Sequence, residues 1–309
     1  MKVVIAGGAG FLGSPLAWAW AEEGHDVRVL TRGLAPGQAQ HESGTGRPGI
    51  TRVGWLPDGT AGQLAREFDG ASAVVNLAGE SIASGRWTAA RKQALRDSRI
   101  LATRSLAAAF EQSRAPAVFI SGSGVGYYGN RGSETLTEDS RPGDDFLARL
   151  CLEWEAEANR AARPDLRVVL LRTGLVLEKG GGALARMMWP FRFFAGGPLG
   201  GGRQYMSWVH RHDWVEMVRW LVDTPAVAGA INVTAPHPVA NAEFARALGR
   251  ALRRPALLPT PAFAIRLALG ETADAVLASQ RALPTRAVAA GYHFRYPEID
   301  IAFRGIFGD

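Results

Sequence analysis

The sequence predicts an α/β protein, a doubly wound parallel sheet of the Rossmann type with a smaller C-terminal lobe. Three observations predict it. Gly7, Gly10 and Gly13 follow an apolar strand within residues 2–13, KVVIAGGAGFLG. Short apolar runs recur with helical segments between them, the pattern of strands joined by crossover helices. From about residue 236 the pattern becomes helical and is punctuated by Pro255, Pro259, Pro261 and Pro284.

The first element is the strand Val3–Ala6 with the turn that follows it. Glycine at such a turn permits positive φ and leaves no Cβ to hold phosphates away, while the next helix offers unpaired N–H groups to an anion. Ser14 fits the N-cap of that helix and Pro15 its first position. The uncharged stretch Val3–Ala21 has the look of a signal peptide, but its glycines and proline argue against export. Further strands are expected at Val27–Leu30, Ala73–Leu77, Ala117–Ser121, Val168–Arg172 and Ala230–Val233. Continuous runs of this kind suit strands buried on both faces. Ligands of such sheets lie beyond the carboxyl ends of the strands, so the residues after each run are the candidates for function.

Residues 33–49 have many turn formers and no periodicity, and read as a mobile surface loop. A second glycine tract, Gly180–Gly182 and Gly196–Gly202, surrounds the apolar Met187–Ala195 and reads as a hinge and substrate lid. These boundaries give a nucleotide-binding domain over 1–175, with 203–235 returning to its core. Residues 176–202 and 236–309 form the substrate lobe.

At 309 residues and 47% hydrophobic, the chain can bury one large core or a core plus a smaller lobe. Its single cysteine, Cys151, excludes an intramolecular disulfide and suits a reducing, cytoplasmic setting. The net charge of +6 comes from arginine, since Lys2, Lys92 and Lys179 are the only lysines. The arginines are scattered and form no block or aromatic-basic stripe, so no nucleic-acid partner is expected. No segment has about twenty apolar residues in succession, so no membrane partner is expected either. The expected partner is a small-molecule substrate.

The end of the second strand selects the cofactor. About twenty residues past the last glycine, an acid would accept the ribose hydroxyls of NAD. Thr31 and Arg32 stand there instead. A guanidinium pairs with the additional phosphate, so NADP(H) is the expected cofactor. Phe11 and Leu12 join the expected cofactor set from inside the turn. Asn76, Ala78 and Gly79 join it from the end of another buried run, where small residues let the backbone approach the adenosine side. Glu80 reads either as a loop acid or as a residue lining the substrate site.

Stretches spread over the whole chain, Gly7–Gly13, Asn76–Glu80, Arg86–Trp87, Ser98–Arg99, Ser121–Gly129, Ser207–His210, Arg254–Pro255 and Gly270–Glu271, resemble one family. It is the short-chain dehydrogenase/reductase superfamily in its extended, epimerase-like form, and within it the atypical YfcH-type subgroup. The resemblance implies an NADP-dependent oxidoreductase or epimerase and, because homodimers are frequent in the superfamily, a homodimer. Fold alone does not establish the reaction.

The superfamily's catalytic serine is matched by Ser123, but its Tyr-x-x-x-Lys pair is not matched. Leu147 stands at the tyrosine and Cys151 at the lysine, and a shift of one residue gives Phe146 and Leu150. The usual asparagine is Arg99. Departures of this kind are known in the subgroup. They matter because the lysine brings the tyrosine's pKa toward the working pH. Arg99 can supply a cation and Tyr127 or Tyr128 a phenol, so the expected catalytic set is Ser123, Arg99, Tyr127 and Tyr128. Aromatic residues after a strand also commonly pack against a cofactor or substrate. Cys151, on an apolar helical stripe, reads as a small buried hydrophobe more readily than as a nucleophile.

Residues 207–213, SWVHRHD, hold two histidines and an acid. Residues i and i+2 of a strand point to opposite faces and no further ligand is near in sequence, so no metal is expected. Asp213 reads as the cap of a helix beginning at Trp214, and Trp208 and His210 as substrate contacts. Two functions remain open. One is an NADP-dependent oxidoreductase or epimerase that moves hydride between nicotinamide C4 and a carbonyl or alcohol carbon of a small polar substrate. The other is a non-catalytic NADP(H)-binding sensor or scaffold, which the missing Tyr/Lys pair favours.

Overall fold

The computed structural model describes residues 1–44, 47–114 and 117–308. Its central sheet contains β1 (Lys2–Ala6), β2 (Asp26–Thr31), β3 (Ala39–Gly44), β4 (Arg47–Gly54), β5 (Ala73–Asn76), β6 (Val118–Gly124), β7 (Arg167–Thr173) and β8 (Gly229–Val233). The order across the sheet is β8-β7-β6-β5-β1-β2-β4-β3. All neighbours are parallel except β3, which runs antiparallel to β4.

Helices cover both faces, which is why the strands read as unbroken apolar runs. They include α1 (Gly13–Glu22), α2 (Leu64–Phe68), α3 (Ala89–Glu111), α4 (Phe146–Asn159), α5 (Gly182–Arg192), α6 (Arg211–Asp223), α7 (Asn241–Leu252) and α8 (Ala262–Leu269). Val3 and Ile5 pack with Leu16 and Trp20 of α1 and Trp214 and Val218 of α6. Val4 and Ala6, on the opposite face, pack with Phe68 of α2, Leu106 and Phe110 of α3, and Ala158 of α4. Local chemistry sets the helix ends. Thr88 accepts the N–H of Arg91 at 3.2 Å to start α3, and Asp145 accepts that of Ala148 at 2.8 Å to start α4. Arg163 and Arg167 donate to the carbonyls of Phe110 and Leu221 at 2.7 and 2.9 Å, placing cations at the negative ends of α3 and α6.

The region expected to be a mobile loop, 33–49, is corrected. Outside residues 45–46, which lie beyond the described residues, most of it belongs to the hairpin of β3 and β4. Turn formers hid it, because the pairing that orders it is not local. β4 joins β2 in parallel, with Leu30 opposite Val53, and buries Ile50 and Val53. The helix after the first turn also begins earlier than expected. Leu12 holds the N-cap position of α1 with no side-chain cap bond, which places Ser14 and Pro15 inside the first turn.

A third core lies at the C-terminal edge of the sheet. It joins Leu184, Met188 and Phe191 of α5 to Trp208, to Phe244 and Leu248 of α7, and to Phe303 of the helix Ile299–Phe307. The segment expected to form a lid is therefore a helix with one packed face. Residues 80–88 strap this lobe to the nucleotide-binding half. Arg86 donates to the carbonyls of Leu267 and Ala268 at the end of α8, and Arg186 of α5 donates to that of Ala83. Lys92 pairs with Glu271 at 2.6 Å. Among the described residues, no helix is long and apolar enough to cross a membrane.

Candidate functional site

The strand order reverses between β1 and β5, and a crevice at such a switch point is where ligands of these sheets bind. The glycine turn forms its floor. Gly7 has φ +79°, and a Cβ there would lie 2.6 Å from the Leu77 carbonyl. A Cβ on Gly13 would lie 2.2 Å from the carbonyl oxygen of Gly7. Gly10 closes the turn by donating to Gly7 O at 3.0 Å, and a Cβ there would touch only that oxygen, at 3.2 Å. Gly7 and Gly13 thus permit the turn to form, while Gly10 keeps its outer side clear. α1 has no side-chain cap, and although Ser14 N–H bonds Gly10 O at 2.9 Å and Pro15 has no N–H, the positive end of the helix dipole faces the turn, which fits a dinucleotide pyrophosphate. Phe11 lies beneath the second glycine tract, where Cβ atoms on Gly181 and Gly182 would be 2.8 and 3.0 Å from its ring. Leu12 packs on the adjoining core.

At the end of β2, Thr31 Oγ1 accepts the N–H of Gly33 at 3.1 Å. Arg32 is exposed and has no ion-pair partner among the described residues. Beside them is a cavity lined in part by Pro36, Gly37, Trp55, Leu56 and Asp58. The sequence reasoning did not find it. The β-branched run Ile50-Thr51-Arg52-Val53, followed by Pro57-Asp58-Gly59, was the available strand-and-turn signal.

Asn76 is fully buried. Its Nδ2 donates to Thr103 Oγ1 at 2.8 Å and its Oδ1 accepts the N–H of Ala78 at 3.2 Å. It shapes the loop, and leaves the approach to a ligand to the backbone of Ala78 and Gly79. The Glu80 carboxylate pairs with Arg91 at the start of α3 and remains partly exposed.

Arg99 lies under that loop. Its guanidinium donates to the carbonyls of Leu95 and Glu80 at 2.9 and 2.8 Å and sits 5.2 Å from the Trp154 ring. Its Nε is buried without a partner, and no carboxylate forms a salt bridge with it among the described residues. Burial lowers its pKa to about 10, so it stays charged at neutral pH. A Cβ on Gly79 would lie 3.1 Å from the Arg99 side chain, so only glycine backbone covers the charge there.

Ser123, at the end of β6, donates to Glu155 Oε1 at 2.7 Å. Glu155 is held in turn by Arg172 through Nε and Nη2, each at 2.8 Å. Burial works against the charge on Arg172, but Glu155 more than offsets it and holds the guanidinium above its ordinary pKa. Arg172 Nη1 also donates to Tyr128 Oη at 3.2 Å, and its Cζ lies 3.4 Å from the Tyr127 ring centroid. Sequence reasoning missed both Glu155 and Arg172. Glu155 interrupts the apolar stripe Ala148, Cys151, Ala158, and an acid at such a position was a detectable signal.

Several expected roles are corrected. Tyr128 is fully buried, donates to Asn232 Oδ1 at 2.7 Å, and is pushed by burial to about 12, so its hydroxyl is a scaffold group. Tyr127 is half-buried, and its hydroxyl has no partner among the described residues. Trp208 belongs to the lobe core and donates to His237 O at 3.1 Å, so it faces no substrate. The helix expected to begin at Trp214 begins at Arg211, and His210 caps it by accepting the His212 N–H at 3.0 Å. Asp213 instead accepts the N–H groups of Arg295 and Tyr296 at 3.0 and 2.8 Å, anchoring the C-terminal segment. The His210 ring is buried and stacks on Tyr296 at 3.9 Å, and its Nε2 is left without a partner among the described residues. Cys151 is buried, and desolvation, followed by the Glu155 charge, pushes its thiol to about 11.

The reversing sheet and its glycine turn define a Rossmann-type protein. Residues 3–234 match the model of the NAD dependent epimerase/dehydratase family, and residues 260–306 match a domain of unknown function, DUF1731. The chain belongs to the NAD dependent epimerase/dehydratase family. The chloroplastic SDR39U1 homolog of Arabidopsis thaliana is 40% identical over 99% of this chain and 86% of its own length. Epimerase family protein YfhF of Bacillus subtilis is 38% identical over 100% of this chain and 99% of its own. The crystal structure of human SDR39U1 (isoform 2) with NADPH superposes with a TM-score of 0.87 at 34% identity, covering 99% of both chains. The resemblance to the atypical extended short-chain dehydrogenases/reductases therefore stands.

Gly10→Val should leave the protein folded and abolish dinucleotide binding, because its side chain would fill the outer side of the turn. Gly13→Val should unfold the turn itself and lower the melting temperature sharply. Calorimetric binding and thermal melts on both variants check this, and normal binding by Gly10→Val would show that the anion lies elsewhere.

Burial, with the charges of His212, Arg211 and Arg295, lowers the His210 pKa from 6.5 to about 4. Between those values the unfolded chain binds the additional proton, so stability is full above pH 6.5 and declines as the pH falls toward 4. His210→Asn keeps a cap that does not titrate, and its melting temperature should fall less over that window. Parallel pH curves for the two proteins would refute the assignment.

Proposed function

We propose that this protein is an NADP(H)-dependent oxidoreductase or epimerase acting on a small polar alcohol or carbonyl compound in the crevice between sheet edge and lobe. The observation that carries this reading is Ser123, whose hydroxyl is oriented by Glu155 at the end of a central strand, while Arg172, which holds Glu155, also lies against the Tyr127 ring. The glycine turn, the unpaired Arg32 and the NADPH in the human relative support the choice of cofactor. The bound nicotinamide supplies or accepts hydride.

The chain's own groups divide the remaining work. Ser123 gives its proton to Glu155, so toward a substrate it presents lone pairs and receives the hydrogen bond of an alcohol. Tyr127 relays the alcohol's proton, taking it on Oη as it releases its own phenolic proton to solvent, so the residue ends unchanged. Arg99 places a fixed positive charge beneath Gly79, which lowers the energy of negative charge developing above it in a site shielded from water. Cys151, neutral at working pH, contributes packing. Its reduced thiol suits the cytoplasm, and a homodimer fits the habit of the superfamily.

One observation favours the second reading, a cofactor-binding sensor or scaffold. Arg99 spends both Nη groups on backbone carbonyls, as purely structural cations do.

NADP(H) should bind more tightly than NAD(H), and Arg32→Ala should remove most of the difference, about 1.5–3 kcal/mol for a charge-assisted contact. Titration calorimetry checks it, and equal affinities in the unaltered protein would sink the assignment.

Against a panel of carbonyl compounds and nucleotide sugars, Ser123→Ala, Tyr127→Phe and Arg99→Ala should each lower turnover by about ten- to a thousandfold, with cofactor affinity little changed. Cys151→Ser should be nearly silent. Loss of activity in Cys151→Ser alone would establish a thiol mechanism, and tight NADPH binding without turnover of any substrate would favour the sensor.

A further inference from the structure

The hairpin of β3 and β4 does more than extend the sheet. Its residues Glu42 and Arg52 line a small cavity with Gly8 and Ala9 of the glycine turn, Ser14 of α1 and Val29 of β2. The register pairs Val29 with Arg52, so their side chains share one face of the sheet. Val29 on that face is in close contact with the turn, where a Cβ on Gly8 would lie 2.7 Å from it. Arg52 therefore projects beside the turn, on the strand next to the one that carries Arg32 at its end.

Arg52 is only lightly committed. Its Nε meets Glu42 Oε1 at 2.8 Å, with the two side chains 39% and 42% exposed. Its Nη groups have no bond among the described residues. An ion pair this exposed contributes little to stability, so a phosphate dianion can take its place. A guanidinium also offers its donors in a planar fork that matches phosphate oxygens.

We propose that the hairpin supplies the second half of the 2′-phosphate site of the dinucleotide, with Arg52 gripping the phosphate together with Arg32. Glu42 holds Arg52 when that phosphate is absent and repels the phosphate when it arrives. The carboxylate therefore tempers affinity for the phosphorylated dinucleotide and leaves affinity for the unphosphorylated one untouched. This inference rests on the NADP(H) reading above.

Titration calorimetry on the full chain with NADPH, NADH, 2′,5′-ADP and 5′-AMP tests it, with circular dichroism to confirm that each variant is folded. Arg52→Ala should weaken NADPH and 2′,5′-ADP about ten- to a hundredfold and change NADH and 5′-AMP by less than about twofold. Arg52→Lys should recover part of the loss. Glu42→Gln should tighten NADPH by about two- to tenfold and leave NADH unchanged. If Arg32→Ala weakens 2′,5′-ADP while Arg52→Ala does not, the hairpin has no part in the site and the NADP(H) reading survives. If the unaltered protein binds 2′,5′-ADP and 5′-AMP equally, both readings fall.

Discussion

The ion pair between Glu155 and Arg172 is the interaction on which the rest of the site depends. Removing two charges from water costs several kcal/mol per ion, and such a pair persists only where geometry is good and the remaining donors and acceptors are satisfied. Here the geometry is bidentate at 2.8 Å. The remaining Nη1 of Arg172 reaches Tyr128 Oη and Glu138 O, and Glu155 Oε1 also accepts from Ser123. The pair ties α4 to β7 and holds the end of β6. Through Tyr128 and Asn232 it also reaches β8. Ser123 is preorganised because almost every group around it is already engaged.

Arg99 is the opposite case. Arg172 is buried with an acid and its charge is compensated, whereas Arg99 is buried against backbone carbonyls and an indole face and forms no salt bridge among the described residues. Its positive potential is therefore exported toward the loop above it. In the superfamily pattern the cation comes from a lysine at the position held here by Cys151. That thiol stays neutral, so in the proposed reading the cation comes from Arg99 on α3 in place of a lysine on α4. A side chain can be lost without losing the electrostatics it supplied, provided a neighbouring helix brings an equivalent charge to the same region.

The sequence was most legible where one local rule settles the structure. Six apolar runs became six of the strands, since a strand buried on both faces has to be apolar throughout. The glycine turn was legible because only glycine tolerates the contacts at Gly7 and Gly13. The hairpin of β3 and β4 was not, because its order comes from pairing with β2 and nothing in its own composition announces it. Trp208 was misread for a related reason. A tryptophan two residues before a histidine in a short strand looks like a ligand contact until the lobe that buries it is known. His210 and Asp213 exchanged roles because both can accept a backbone N–H, and the helix start differs by three residues between the two readings. Glu155 and Arg172, the pair that organises the site, are far apart in sequence, and neither announces the other.

The fold places the chemistry but does not choose the reaction, and the groups that could choose it lie in the strap between the two halves. Arg99 grips the carbonyl of Glu80, the first residue of the strap. A few residues on, Arg186 of α5 holds the carbonyl of Ala83, and Arg86 reaches the end of α8. The buried cation and the lobe thus hold the same short segment from opposite sides. The Glu80 carbonyl is one of the two backbone acceptors of Arg99 among the described residues. The physical connection is short and continuous, so the packing of the lobe and the backbone that holds Arg99 are mechanically coupled through one segment.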